Sequence, residues 1–117
     1  MTNTVLTLPT TQSVTGISDH DVLSPFLAGQ LTPQTRRAYH ADLVAFFGTD
    51  LISLDDCRGV TFVDVIAYRN RLSDDGLKPA TINRKLSSIR ALYKVLMAAG
   101  ALPTNPADAA LVKGFKP

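Results

Sequence analysis

The side chains with the clearest chemical potential in this sequence are basic, and they are concentrated in one stretch. From Lys78 to Lys94 the chain has five basic residues and no acidic one, although the whole chain has 12 basic and 10 acidic residues. If this stretch is helical, the spacing i, i+4, i+7, i+11 places on one outward face Asn83, Ser87, Arg90 and Lys94, with Arg84 and Ser88 alongside. Lysine and arginine neutralise phosphates, and short polar side chains let a helix approach base edges closely. The stretch therefore predicts a surface that suits a polyanion.

A second, smaller group of basic residues stands near the start of an earlier predicted helix. Thr35, Arg36 and Arg37 lie at its N-terminal end, where free backbone N–H groups also attract phosphate. His40 follows on the same polar side and would titrate near a bound phosphate, although a lone surface histidine is the simpler interpretation. A basic helix face is often only a solvated surface, so charge alone leaves both interpretations open.

No residue pattern in the sequence indicates an active site. Tyr39, Tyr68 and Tyr93 have no activating group nearby in sequence, and packing is the better interpretation of all three. Cys57 stands next to an arginine, a neighbour that lowers thiol pKa values, but an inert loop or core thiol is favoured. One cysteine and two histidines do not supply the ligands of a zinc site, and there is no glycine-rich phosphate loop. We therefore expect no catalytic residue, no metal and no cofactor.

Length and composition describe one ordinary globular domain. The chain has 117 residues, of which 45% are hydrophobic and 19% charged, which is enough for one domain and too little for two. Its formal charge of +2 does not by itself identify a nucleic-acid binder. No apolar run approaches the roughly 20 residues of a membrane span, and the N-terminus lacks the features of a signal peptide. We expect a cytoplasmic protein with no membrane partner, and the uncharged, Thr-rich residues 1–17 are interpreted as a mobile leader.

Hydrophobic periodicity predicts an all-α fold, a compact bundle of four to five helices within residues 18–112. Ser18 or Asp19 is expected to cap a short first helix that ends towards Gly29. The second helix is predicted over 32–48, because it opens with a threonine cap followed by proline and closes on glycine.

The second half of the chain is predicted to be helical as well. After an expected loop over 49–60, Thr61 and Asp64 resemble a capping box that opens a third helix ending near Gly76. Its predicted buried stripe consists of Phe62, Val65, Ile66 and Leu72, with Tyr68 at the border and Arg69 and Arg71 outward. The remaining segments are a fourth helix over 79–100, a short last helix over 105–112 and the start of a linker over 113–117. The fourth helix has the strongest apolar stripe, formed by Ile82, Leu86, Ile89, Tyr93 and Leu96, with Met97 beside them.

Two stretches of the sequence resemble a known family. They are LTPQTRRAYHADLVAFF (31–47) and GLKPATINRKLSSIRALY (76–93), followed by Asn105-Pro106. In this order they resemble the N-terminal core-binding domain of tyrosine recombinases and phage integrases, also called the SAM-like integrase domain. The resemblance covers roughly residues 18–112. Lys78 departs from the family pattern, since it replaces the small hydroxyl residue common before this proline and adds a charge.

The resemblance implies a helical domain that forms one half of a C-shaped clamp around duplex DNA. Two crossed helices, matching the second and fourth here, would approach the major groove. Family chemistry attacks a DNA phosphate with a tyrosine, in a second domain that we expect to be absent here, and none of the three tyrosines of this chain matches that nucleophile. We therefore expect no enzymatic activity from this chain. The expected partners are duplex DNA, the catalytic domain of a parent recombinase and other recombinase protomers. The isolated domain is expected to be a monomer. The charge pattern and the resemblance together give the expected DNA-binding residues: Thr35, Arg36, Arg37, His40, Lys78, Thr81, Asn83, Arg84, Lys85, Ser87, Ser88, Arg90 and Lys94.

Two other functions stay open at the level of sequence. One is a free-standing helical domain whose apolar faces dock a protein partner, and binding of that kind is insensitive to salt. The other is a small DNA-binding regulator of the helix-turn-helix type. It is disfavoured because the expected loop over 49–60 is far longer than the turn of that motif.

Overall fold

The computed structural model describes residues 19–116 and contains five helices in this range. They are α1 (Leu23–Ala28), α2 (Pro33–Phe47), α3 (Leu54–Arg58), α4 (Phe62–Asp74) and α5 (Pro79–Ala98). No β-strand occurs in the described part of the chain, so the predicted all-α fold is confirmed. The leader expected over 1–17 lies outside the described residues. None of these five helices is long and apolar enough to cross a membrane.

The starts of α2 and α4 follow the capping signals of the sequence. The side chain of Thr32 accepts a hydrogen bond of 3.1 Å from the backbone N–H of Thr35, and Pro33 takes the first helical position of α2. At α4, Thr61 accepts from the backbone N–H of Asp64, and the Asp64 carboxylate accepts from the backbone N–H of Thr61. The predicted capping box is therefore confirmed with aspartate in place of the usual glutamate.

The start of α1 differs from the prediction. The N–H groups of Leu23 and Ser24 donate to the carboxylate of Asp21, so the expected cap at Asp19 is wrong, and the alternative, Ser18, lies outside the described residues. The reason is a tertiary contact. Residues 19–22 exchange backbone hydrogen bonds with residues 52–54, so α1 begins only at Leu23.

The predicted loop over 49–60 contains a helix that periodicity did not reveal. Helix α3 is only five residues long, too short to show an apolar period. Its start has a capping box, in which Ser53 accepts from the backbone N–H of Asp56 and the Asp56 carboxylate accepts from the backbone N–H of Ser53. The sequence signal for α3 is therefore its capping box, formed by Ser53 and Asp56, and not an apolar period.

The short last helix expected over 105–112 is wrong, since this segment consists of turns. The side chain of Asn105 accepts from the backbone N–H of Ala107, and that of Asp108 accepts from the N–H of Ala110. Such local side-chain bonds compete with helical ones and favour turns. The structure still has five helices in its described part, within the predicted four to five, because it contains α3, which was not predicted, and lacks the last helix, which was.

Helix α5 lies in the centre of the core, packed against α2 and α4. The predicted apolar stripe of α5 is confirmed, since all of its members except Met97 are buried. Met97 and Phe62 are 41% and 45% exposed, contrary to prediction, because they stand at the ends of α5 and α4 where the core is incomplete. Tyr68, placed at the border by the sequence, is buried and packs edge-on against Phe46 with ring centroids 4.9 Å apart.

One buried hydrogen bond joins α5 to α3. Tyr93 is 1% exposed, and its hydroxyl donates to the backbone carbonyl of Cys57 at 2.7 Å. Burial raises the pKa of the Cys57 thiol to about 12 and also raises the pKa of Tyr93. Cys57 is 1% exposed, so its predicted place in the core is confirmed, and a raised pKa favours the protonated thiol at neutral pH.

Replacing Tyr93 with phenylalanine should lower the free energy of unfolding by about 1 kcal/mol, the usual net contribution of one hydrogen bond. Tyr39→Phe is the matched control, because Tyr39 stacks on Phe26 at 5.4 Å and its hydroxyl bonds to no described residue. Urea unfolding followed by circular dichroism measures both variants. Equal effects of the two substitutions would contradict the role given to the Tyr93 hydroxyl.

Candidate nucleic-acid interface

Positive charge is concentrated on α2 and α5, which pack against each other. The chain has 12 basic and 10 acidic residues, and these two helices carry six of the basic and one of the acidic ones, Asp42. The six basic residues are Arg36, Arg37, Arg84, Lys85, Arg90 and Lys94. Neighbouring charges of one sign add their potentials, so this helix pair forms the most positive part of the described chain.

The outward side of α5 is a line of residues spaced four and three apart. We call it the α5 stripe, and it consists of Ala80, Arg84, Ser87, Ala91, Lys94 and Ala98. Arg84, Ser87 and Lys94 are exposed, and the alanines between and beyond them add little bulk. Lys78 immediately precedes the helix and is exposed, and its side chain has no hydrogen bond to any described residue. The stripe thus presents cations on a helix surface that a ligand is able to approach closely.

Helix α2 contributes fewer free groups than its sequence suggests. Arg37 and His40 are exposed, and their side chains bond to no described residue. Arg36, in contrast, donates to the backbone carbonyl of Gln30 at 2.8 Å, and the Thr35 hydroxyl accepts from the N-cap hydroxyl at 2.9 Å. Of the predicted residues on this helix, Arg36 and Thr35 therefore support the start of α2, and Arg37 and His40 face solvent.

A buried carboxylate lies where α2 meets α5. Asp42 is 1% exposed, and its Oδ2 accepts from the Ser88 hydroxyl at 2.6 Å. Its Oδ1 accepts from Lys85 Nζ at 3.3 Å and pairs with Arg84 Nη2 at 3.1 Å. We call these four residues the Asp42 cluster. The expectation that Ser88 lies on the outward face is wrong, because its hydroxyl is needed by a carboxylate that α2 buries.

Asn83 binds the end of the described chain. Its side-chain amide donates to the backbone carbonyl of Phe115 at 2.6 Å, and its Oδ1 accepts from the Phe115 N–H at 2.9 Å. The approach is close at Gly114, where an added Cβ would lie 2.6 Å from Asn83 Oδ1. Arg69 assists from α4 by donating to the carbonyl of Lys113 at 3.0 Å and by covering the Phe115 ring. Residues 113–116, expected to begin a linker, therefore fold back onto α4 and α5.

Arg90 binds the turns that replace the expected last helix. Its Nε donates to the carbonyl of Ala107 at 2.6 Å, and its Nη2 donates to the carbonyl of Val112 at 2.8 Å. Burial lowers the pKa of Arg90, and Asp108 opposes this effect electrostatically. We call residues 105–116 the C-terminal segment. It covers the side of α5 that carries Asn83 and Arg90. The side of α5 that stays uncovered therefore carries Arg84, Ser87 and Lys94.

The structure thus sorts the predicted site residues into three groups. Those facing solvent are Arg37, His40, Lys78, Arg84, Ser87 and Lys94, of which Arg84 also pairs with the buried Asp42. Thr81 is half-buried, and those that contact other parts of the chain are Thr35, Arg36, Asn83, Lys85, Ser88 and Arg90.

Sequence reasoning missed Asp42, the acidic residue of this site. The signal was present, because Asp42 comes three residues after Tyr39 and four before Phe46, on the apolar side of α2. An acid on a buried helix face needs basic or hydroxyl partners, and α5 supplies them.

The comparison with protein families identifies the class. The family described as "Phage integrase, N-terminal SAM-like domain" matches residues 26–100, which is more than half of the chain. This range includes all of α2, α3, α4 and α5 and so contains the helix pair described above. The chain belongs to this family, and the resemblance found in the sequence is confirmed.

The similar curated proteins are tyrosine recombinases. "Tyrosine recombinase XerC" of Chlorobaculum parvum is 31% identical over 75% of this chain and 31% of its own length. The protein of the same name from Chlorobaculum tepidum is 32% identical over 65% of this chain and 25% of its own length. A tyrosine recombinase of Synechocystis sp. is 32% identical over 93% of this chain and 37% of its own length. The chain therefore spans about a third of the length of these relatives, and no solved structure matches it.

Proposed function

We propose that this chain binds duplex DNA through the α2–α5 surface, as one half of the DNA clamp of a tyrosine recombinase. The observation that carries the proposal is the charge distribution: two packed helices hold half of the basic residues and only one acid, which is buried. The exposed cations are placed to neutralise phosphates. They are Arg37, Lys78, Arg84 and Lys94.

The side chains between these cations suit contact with the grooves of DNA. Ser87 lies between Arg84 and Lys94 on the α5 stripe, and Thr81 lies six residues before Ser87. Hydroxyl groups bond to phosphates and to base edges, and the alanines of the stripe allow the helix to come near. The backbone N–H groups in the first turns of α2 and α5 that follow the initial prolines add a favourable field for phosphate.

We further propose that strand cleavage belongs to another part of a longer recombinase. The three tyrosines described here are poor candidates for a nucleophile. Tyr68 and Tyr93 are buried with raised pKa values, and Tyr39 is stacked on Phe26. A DNA-binding chain of this kind has as partners duplex DNA, the rest of the recombinase and further protomers.

The test is the salt dependence of binding to a labelled duplex of about 30 base pairs, measured by fluorescence anisotropy between about 50 and 200 mM salt. We expect binding that weakens steeply with salt. In the double variant Arg37→Ala with Lys94→Ala, the slope of log affinity against log salt should flatten by about 1.8, or about 0.9 for each lost phosphate contact. Neither side chain bonds to a described residue, so folding should be unchanged.

The matched control is the double variant Arg58→Ala with Arg71→Ala, which removes the same formal charge from α3 and α4. Both side chains are exposed, Arg58 pairing with Asp55 and Arg71 lying over Tyr68. Arg69 is unsuitable because it binds the C-terminal segment. If both double variants flattened the slope equally, the α2–α5 surface would have no special role. Absence of salt-dependent binding to the duplex would reject the proposed function and favour the alternative, a helical domain that docks a protein partner through its apolar faces.

A further inference from the structure

The two cations of the Asp42 cluster are not equivalent. The Arg84 side chain is 53% exposed and lies on the α5 stripe, whereas the Lys85 side chain is 18% exposed and lies between the helices. Both share one oxygen, Oδ1 of Asp42, and the other oxygen is occupied by Ser88. Arg84 has no other hydrogen bond of its side chain to a described residue, so most of its five N–H donors are free.

An approaching phosphate therefore competes with Asp42 for Arg84 and not for Lys85. The Arg84 end of this ion pair is 53% exposed, so solvent screens it and a phosphate can replace the carboxylate around Arg84 at a small cost in free energy. After that exchange Asp42 still has Lys85 and Ser88 and is not left as an unpaired buried charge. Loss of Lys85 to a phosphate would require a mostly buried ammonium group to leave its place.

We propose that Asp42 is an internal counter-charge that limits the attraction of the α5 stripe for DNA, holding Lys85 in place and releasing Arg84 to a phosphate. This proposal rests on the proposed function and assigns different roles to two adjacent basic residues. Arg84 is the DNA contact. Lys85 is a positioning residue that keeps Asp42 neutralised when Arg84 leaves. Because the charge of Asp42 acts on any bound phosphate, it weakens binding to all sequences alike.

Asp42→Asn tests the counter-charge. The introduced amide is expected to fit, since its oxygen accepts from the two cations and its NH₂ donates to Ser88 Oγ, whose hydroxyl already lies 3.3 Å from the carbonyl of Arg84. With one negative charge removed near the stripe, affinity for the labelled duplex should rise about threefold to tenfold at low salt, and the rise should shrink as salt increases. Thermal unfolding by circular dichroism checks that the variant is folded.

Two further variants separate Arg84 from Lys85. Arg84→Ala should flatten the salt slope by about 0.9, because one phosphate contact is lost. Lys85→Met in the Asp42→Asn background, where no carboxylate is left unpaired, should leave the slope of that background unchanged. The salt slope separates a DNA contact from a structural role. A residue with only a structural role would change the stability of the fold and leave the slope unchanged.

The outcomes distinguish this proposal from the proposed function. If the wild-type chain binds DNA with a steep salt dependence but Asp42→Asn binds no more tightly, the counter-charge is wrong and the function stands. The assignment is also overturned if Lys85→Met flattens the salt slope of the Asp42→Asn background and Arg84→Ala leaves the wild-type slope unchanged. Should Asp42→Asn fail to fold, an unchanged slope in Arg84→Ala alone overturns the proposal. Absence of salt-dependent binding by the wild type rejects the proposed function itself.

Discussion

Replacing Arg84 and Lys85 together with alanine is expected to lower the free energy of unfolding by about 3–5 kcal/mol, the range for a buried charge that loses its partner. Asp42 is 1% exposed, and the double substitution leaves it only the Ser88 hydroxyl. The apolar stripe of α5 is untouched, so the effect comes from electrostatics and not from packing. Urea unfolding measured at neutral pH and low salt provides the value.

The rescue experiment uses Asp42→Asn in the same double variant. The neutral amide needs no counter-ion, so most of the lost stability should return. Arg84→Ala alone should have a smaller effect than Lys85→Ala alone, because the Arg84 side chain is 53% exposed and the Lys85 side chain 18% exposed. A double variant as stable as the wild type would show that Asp42 is not charged in the folded state or is solvated there.

This result would also bear on DNA-binding experiments. A loss of DNA affinity in the double variant does not by itself show a lost contact, because a larger fraction of the molecules is then unfolded. Substitutions at Arg37 and Lys94 avoid this difficulty, since both side chains are exposed and bond to no described residue. They are therefore the sharper probes of the α2–α5 surface.

Arg90→Ala is expected to lower the free energy of unfolding by about 2–4 kcal/mol, since two hydrogen bonds from a charged group are lost. The bonds run from Nε to the carbonyl of Ala107 at 2.6 Å and from Nη2 to the carbonyl of Val112 at 2.8 Å. Both carbonyls belong to the C-terminal segment, so the loss should appear there first. Amide hydrogen exchange should rise over residues 107–116 before it rises in α5.

Two substitutions test the geometry of this contact. Arg90→Lys should not restore stability, because an ammonium group lacks the planar fork that reaches two carbonyls at once. Lys94→Ala is the control on the same helix, and it should be neutral because the Lys94 side chain is exposed and bonds to no described residue. If Arg90→Lys proved as stable as the wild type, the paired hydrogen bonds would not be what holds the C-terminal segment.

The sequence alone determined the class of fold and the family. The apolar period of α5 and the caps at Thr32 and Thr61 are local signals, and local hydrogen bonds and helical spacing decide them without the rest of the chain. The same holds for the concentration of basic residues on α2 and α5, because charge along a helix is visible before its packing is known. These features were predicted and are found in the structure.

The tertiary structure decided which side chains are free. Asn83, Ser88 and Arg90 belong to the polar pattern of α5, yet each bonds to a residue at least 17 positions away in sequence. Spacing along one helix places a side chain on a face, but it does not reveal whether another segment covers that face. Asp42 on α2 and the C-terminal segment make those contacts. They leave the outward surface to Arg84, Ser87 and Lys94, because a buried carboxylate and unpaired carbonyls must find donors within the fold.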